Sequence, residues 1–315
     1  MTTLVLGGCG FIGGHVVQAL LAQGEPVVVL DRSVGRRAPH SGVLASAALH
    51  QVQGDLGNHG DLERLFADHA ISNVVHLVSS TVPGSSNRDP RFDVLTNIGD
   101  TVSLLELCVK RAVRKVLFVS SGGAVYGVPR RLPVDEDHPN NPISSYGITK
   151  LAIEKYLHLY KHLHGLDYVV IRAANPYGPG QQPHAEQGVI GVFTDRIQRG
   201  DDIVIWGDGS VVRDYFHVRD LARLCVLALA SPVSGVFNAG SGVGRALSEV
   251  IASIEAVVGR RARIRYESGR ALDVPRIVLD VSRVRQALGW QAQTVFEDGL
   301  AEVLQWLQSR SPTPA

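Results

Sequence analysis

The chain has 315 residues, enough for two domains or one large one, and a make-up of 45% apolar and 19% charged residues belongs to a folded globular protein, not a disordered one. Lys and Arg number 31 against 30 Asp and Glu, and the resulting net charge of +1 gives no electrostatic case for nucleic acid or an anionic membrane as the main partner. Cys9, Cys108 and Cys225 form no CxxC and, being odd in number, no complete disulfide framework, which points to a reducing, cytoplasmic setting.

Thr3–Leu6 is a short apolar run ending in glycines. It lacks a basic leading segment and reads as strand and turn, not as a signal peptide. Phe11–Gln23 has helical spacing and stops at Gly24, and Val27–Leu30 is a second buried-type strand ending at Asp31. Strand, glycine turn, helix and strand make one βαβ unit. The alternation continues with a strand at Ala48–Gln53, a helix at Leu62–His69 and a strand at Asn73–Val78. A long helix is predicted at Thr96–Arg111, a strand at Val116–Ser120, a helix at Tyr146–His164 and a strand at Tyr168–Arg172. This rhythm predicts an α/β fold, a Rossmann-type doubly wound parallel sheet. Asn175–Gln187 is rich in Pro, Gly and Gln and reads as a loop or domain crossing, and Ser311–Ala315 as a frayed tail. Leu221–Ala230 is apolar but short and holds Arg223, so it does not cross a bilayer.

Gly7-x-x-Gly10-x-x-Gly13 stands between the first strand and the first helix. Glycines there allow a tight turn and let the backbone approach a pyrophosphate at the helix N-terminus. Asp31, 18 residues on, ends the second strand, where a carboxylate accepts from an adenosine ribose and repels a 2′-phosphate. The plainer alternative is a glycine turn with a solvated Asp. Arg32, Arg36 and Arg37 complicate the choice of NAD, since arginine can hold a 2′-phosphate. Tyr146-x-x-x-Lys150 is the second constellation, and four residues along a helix place both side chains on one face. An ammonium beside a phenol is expected to lower the Tyr pKa and make Tyr146 a general base. A surface helix pair is the alternative, but five lysines and 8 tyrosines in the chain make such a pair uncommon by chance.

Together these motifs resemble the extended short-chain dehydrogenase/reductases, and within them the NAD-dependent sugar-nucleotide epimerase/dehydratase group, most of all its UDP-hexose 4-epimerases. Further matching pieces are Gly54-Asp55-Leu56, Val75-His76-Leu77, Asn97, Ser120-Ser121 through Val125-Tyr126-Gly127, Asn175-Pro176-Tyr177-Gly178, Arg213-Asp214-Tyr215 and Arg270-x-x-Asp273. The resemblance implies a smaller C-terminal α/β substrate domain. Residues 1–174 with about 211–240 would then bind NAD, and about 175–210 with 241–315 the sugar nucleotide. It also implies that Gly7, Gly10, Phe11, Ile12, Gly13, Asp31, Arg32, Asp55, Leu56, Leu77, Val78, Asn97 and Ser120 line the cofactor. Tyr146, Lys150 and Ser121 would carry the chemistry, with Lys150 also bonding the nicotinamide ribose. On the substrate side, Asn175 would meet the phosphates, Arg213 the diphosphate, Val204 and Trp206 the uracil, and Arg270 and Asp273 the uridine ribose and phosphate. Ile277 would stand beside the sugar C2 substituent, and the resemblance further implies a homodimer joined by two long helices per subunit.

Two departures matter. Gly122 stands where the family usually has Ser or Thr, so Ser121, Ser120 or a water must take over that hydroxyl's role. Gly123-Ala124 stands where the dehydratases carry Asp-Glu, which argues against elimination chemistry. An NADP-dependent sugar-nucleotide reductase, suggested by the arginines after Asp31, and a non-catalytic nucleotide sensor, suggested by Gly122, are the rival readings. His158 and His162, four apart, lack a convergent carboxylate or Cys, and Asp135–Asp137 read as a solvated run, so no metal is expected.

Overall fold

The computed structural model describes residues 1–34, 46–81, 84–183, 188–269 and 274–310. β1 (Thr2–Leu6), α1 (Phe11–Ala22) and β2 (Val27–Asp31) form the expected first unit, followed by β3 (Leu49–Gln53), α2 (His59–Asp68) and β4 (Ile71–His76). Next come a 3-10 turn at Ser86–Arg88, α3 (Pro90–Asp93), a π-helical segment at Val94–Gly99 and α4 (Asp100–Lys110). The sequence spacing predicts a helix only from Thr96, whereas the helical path starts at Pro90. Asp89 caps it by accepting from the Phe92 N–H at 2.9 Å, and Pro90 fills the first helical position. The widened turn carries Asn97.

β5 (Lys115–Ser121), α5 (Ser145–His164) and β6 (Asp167–Ala173) continue the alternation. One residue later the chain enters β7 (Asn175–Tyr177), a short strand inside the segment expected to be loop. α6 (Val189–Arg199), β8 (Asp202–Trp206), β9 (Val212–His217), α7 (Val218–Ala230) and β10 (Gly235–Ala239) follow. β11 (Gly244–Ala246), α8 (Leu247–Val258), β12 (Arg263–Glu267), β13 (Arg276–Ile277), α9 (Ser282–Leu288) and α10 (Phe296–Arg310) complete the fold. The expected tail at 311–315 lies outside the described residues.

Seven strands form one parallel sheet in the order β3-β2-β1-β4-β5-β6-β10. Both faces of the central strands are covered, so β1 and β2 are apolar almost throughout, while the edge strand β3, LHQVQ, is only partly buried. Leu4 and Leu6 of β1 point into a core shared with α2, α4 and α5, and Val5 points into the opposite core with α1 and α7. The order reverses between β1 and β4, and the crevice at the carboxyl ends of those strands is where such sheets bind ligands. In the C-terminal part β9 pairs with β7 and β13 in parallel and with β11 in antiparallel fashion, while β8 pairs with β12. A separate core there unites Ile190, Phe193, Ile203, Ile205, Val250 and Leu300. Among the described residues no helix is long and apolar enough to cross a membrane.

Candidate active site

At the switch point, Gly7 adopts a φ of +80°, and a Cβ on Gly13 would lie 2.1 Å from the Gly7 carbonyl oxygen. Only glycine permits that approach. α1 begins at Gly10 with no side-chain cap, so bare backbone and the positive end of the helix dipole stand open at one spot. These features fit a dinucleotide pyrophosphate. Phe11 and Ile12 form the first turn behind it. Asp31 accepts the Cys9 N–H at 3.0 Å and the Ser33 N–H at 2.9 Å, which ties its carboxylate to the glycine turn. Burial, helped by that carboxylate, pushes the Cys9 thiol up to about 11. Leu77 and Val78, just past β4, border Gly7, whose absent Cβ would meet Val78 Cγ2 at 3.4 Å. Arg32 is exposed, with its guanidinium 3.7 Å from Asp55, while Leu56 is buried in the core of the α2 face. Arg36 and Arg37 lie outside the described residues.

α5 starts at Ser144, whose hydroxyl accepts from the Gly147 N–H at 3.2 Å. The four-residue step then places Tyr146, Lys150 and Glu154 along one face. The Ser121 hydroxyl, at the end of β5, is near enough to the Tyr146 phenol to favour its ionised form. Lys150 Nζ donates to the Val119 carbonyl at 3.2 Å and lies 4.6 Å and 5.6 Å from the ring centroids of Phe118 and Tyr146. Burial pulls Lys150 down to about 8, opposed by the carboxylates of Glu154 and Asp93. The expected lowering of Tyr146 is not what this arrangement produces. Burial pushes the phenol up to about 12, the Ser121 hydrogen bond opposes that, and the Asp93 charge adds to it. The ammonium sits over the ring and spends a hydrogen bond on the Val119 carbonyl, so desolvation prevails.

The question posed by Gly122 has a geometric answer. A Cβ there would lie 2.5 Å from Leu279 Cδ1 and 3.1 Å from the Arg172 carbonyl oxygen, so no hydroxyl-bearing side chain fits. Ser120 is turned away and donates to Glu154 at 2.6 Å. Of the three positions, Ser121 is the one whose hydroxyl acts on the Tyr146 phenol.

Sequence reasoning missed two buried carboxylates behind the pair. Glu154 meets Arg172 through Nη2 at 2.6 Å and Nε at 3.1 Å, with both side chains almost fully buried. The Tyr146-Lys150-Glu154 register on one helix face was the available signal. Asp93 is 0% exposed and accepts from Ser145 Oγ at 2.6 Å, Asn97 Nδ2 at 2.8 Å, Thr149 Oγ1 at 3.4 Å and the Thr81 hydroxyl. No sequence signal marks it. Asn97, expected to steady the cofactor region, also accepts the Ser80 N–H at 2.9 Å. His76, at the end of β4, is buried and feels the Lys150 charge. Burial and the Lys150 charge push it down to about 3, so it is neutral, and its Nε2 is 2.9 Å from Thr101 Oγ1.

The substrate-side residues fall on the smaller sheets. Asn175 opens β7 and donates to the Asp214 carbonyl at 3.0 Å. Arg213 on β9 is paired in register with Ile277 on β13. Ile277 is 2% exposed and packs with Val125, Tyr126, Val134, Val274 and Leu279, joining this sheet to the segment after Ser121. Val204 and the half-exposed Trp206 lie two residues apart on β8, in a different sheet. Arg270 and Asp273 lie outside the described residues. His158 and His162 are exposed, and among the described residues no cluster of three His, Cys, Asp or Glu could hold a metal. The run Asp135–Asp137 is not wholly solvated. Glu136 is buried because it accepts the 2.8 Å hydrogen bond of Asn238 N–H on the edge strand β10, and Arg283 Nε stands 3.4 Å away.

A doubly wound parallel sheet, a bare glycine turn at its switch point and a Tyr-Lys pair after β5, its lysine buried, define an enzyme of the short-chain dehydrogenase/reductase type. The chain belongs to the NAD dependent epimerase/dehydratase family, whose profile matches residues 3–240. The UDP-glucose 4-epimerase of Mycolicibacterium smegmatis is 38% identical, over 99% of this chain and 100% of its own. The crystal structure of UDP-glucose 4-epimerase with UDP-glucose from Thermotoga maritima superposes with a TM-score of 0.92 at 35% identity, covering 98% of this chain and 99% of that one. The Thermus thermophilus UDP-glucose 4-epimerase complex with NAD gives 0.91 at 34% identity, covering 98% and 100%.

Proposed function

We propose that this protein is an NAD-dependent 4-epimerase of a UDP-hexose. The observation that carries the reading is the Tyr146 ring with the Lys150 ammonium 5.6 Å from its centroid and a glycine turn shaped for a pyrophosphate at the switch point of the same sheet. Tyr146 takes the proton of the sugar 4-hydroxyl and later returns it, and Ser121 orients the same oxygen. Lys150, whose pKa of about 8 leaves it mostly protonated at neutral pH, supplies positive charge to the phenolate. Bound NAD supplies the hydride acceptor for the sugar C4 and, when oxidised, a further positive charge. The 4-keto sugar turns over before reduction on its other face. Gly7, Gly10, Gly13 and Asp31 hold the pyrophosphate and adenosine ribose, with Leu77, Val78 and Asn97 lining the crevice.

Asn175, Val204, Trp206, Arg213, Arg270 and Asp273 hold the UDP moiety, and Ile277 bounds the sugar by shape. Residues 1–174 with about 211–240 form the cofactor domain, and about 175–210 with 241–315 the substrate domain. The free cysteines suit the cytoplasm. Two chains pair through Phe92, Val94, Leu95 and Ile148, four large apolar side chains left 43–58% exposed on α3, the π-helical segment and α5.

Conversion of UDP-glucose to UDP-galactose tests the reading. Tyr146→Phe keeps the ring and removes the ionisable oxygen, so kcat should fall by about 10²–10⁴-fold with NAD still bound. Near-normal turnover by that variant would refute the mechanism.

A further inference from the structure

Lys150 lies among four ionisable groups. On its own helix are Tyr146, one turn before, and Glu154, one turn after. From β4 comes His76, held neutral by burial. From α3 comes Asp93. The two carboxylates are not equivalent. Glu154 is already neutralised by the Arg172 guanidinium in a fork of three hydrogen bonds, with Ser120 taking a further position at 2.6 Å. Asp93 has hydroxyl and amide donors, but no Arg or Lys pairs with it in a salt bridge among the described residues. The cationic side chains near it in sequence, Arg88 and Arg91, are exposed.

A carboxylate at 0% exposure with no cation in contact is strongly disfavoured unless its lone pairs are filled and a compensating charge is near. Its donor Ser145 immediately precedes Tyr146 on α5, and Thr149, just before Lys150, shares its one hydroxyl proton between the Tyr146 carbonyl at 2.9 Å and Asp93 at 3.4 Å. Asp93 is thereby fixed to the turn of helix that presents the reactive pair.

We propose that Asp93 is a positioning residue, the buried counter-charge that keeps Lys150 protonated and sets the pH range in which Tyr146 acts. It touches neither substrate nor cofactor on this reading, which rests on the Tyr146–Lys150 mechanism above. The electrostatic directions agree with the geometry: Asp93 raises both Lys150 and Tyr146. Removing its charge therefore lowers both groups, so both limbs of the activity profile move towards acid. Loss of packing alone lowers activity without moving either limb.

The test is Asp93→Asn in the NAD-loaded enzyme. Asparagine is nearly isosteric, and the three hydroxyl partners can rotate to accept as well as donate. The pH optimum of kcat should move to acid by about one unit, the scale on which a neighbouring opposite charge acts. Independently of turnover, the phenolate absorbance titration of Tyr146, taken as the difference from Tyr146→Phe, should shift the same way. Asp93→Glu keeps the charge while disturbing the geometry, so its kcat should fall with the optimum in place. An unmoved profile and an unmoved phenolate titration in Asp93→Asn would overturn the proposal, as would a displaced optimum in Asp93→Glu, which also serves if the Asn variant does not fold. Inactivity of the wild type towards UDP-hexoses, with the phenolate shift intact, would count against the epimerase reading and leave the role of Asp93 standing.

Discussion

Gly122→Ser places a side chain where the family commonly has one and where this protein has no space for it. The new Cβ would stand 2.5 Å from Leu279 Cδ1, 3.2 Å from Cδ2 and 3.1 Å from the Arg172 carbonyl oxygen. Ordinary carbon–carbon contact is about 3.5–4.0 Å, so Leu279 must retreat by roughly 1 Å. It has nowhere to go, being 1% exposed and packed among Val125, Tyr126, Val134, Val274 and Ile277. Overpacking of this kind costs about 1–3 kcal/mol. Leu279→Ala alone costs about 2–5 kcal/mol through its cavity. In the double variant the cavity receives the serine, and the two penalties should fail to add by about 1 kcal/mol or more, within the range seen for residues in contact. Denaturant unfolding of the four proteins measures this directly. Gly122→Ser within about 0.5 kcal/mol of wild type, or a strictly additive cycle, would show that Leu279 is not what excludes a side chain at 122.

Titration of cofactor-stripped protein should give much tighter binding of NAD than of NADP, because the Asp31 carboxylate repels a 2′-phosphate. Equal or tighter NADP binding would return the choice to the reductase and direct attention to Arg32. Light scattering at micromolar concentration should report two chains per particle, and Leu95→Glu with Ile148→Glu should give one. A wild-type monomer would remove the dimer from the reading.

The sheet was legible because its central strands hold apolar runs, such as Leu4–Leu6 and Val27–Leu30, separated by helices, the pattern that burial on both faces demands. Boundaries slipped where capping outranked periodicity, as at Pro90, and where a short strand hid in a Pro-Gly segment, as at Asn175–Tyr177. The Tyr146–Lys150 pair and the glycine turn have fixed spacings and could be read directly. Asp93 could not be, because its significance arises from a fold that brings α3 against α5 across more than fifty residues of sequence. The identity of the hydroxyl on Tyr146 was likewise open until Leu279, far along the chain, was seen to occupy the space beside Gly122.

The passage from β6 to β7 leaves a single residue, Ala174, between the large sheet and the small one. Its N–H is itself used, donating to the Ala239 carbonyl at 2.7 Å, and the neighbouring Gly122 N–H donates to the Ala173 carbonyl at 2.8 Å. A connector this short, pinned from both sides, has no slack with which to act as a hinge. On the proposed reaction, a ketone must present first one face and then the other to a fixed donor. If this joint stays fixed, that half-turn falls to the ligand's own flexible diphosphate. Such a machine is built like a vice with a swivelling workpiece: its frame gains from stiffness, and its turnover is sensitive to how loosely the sugar is gripped.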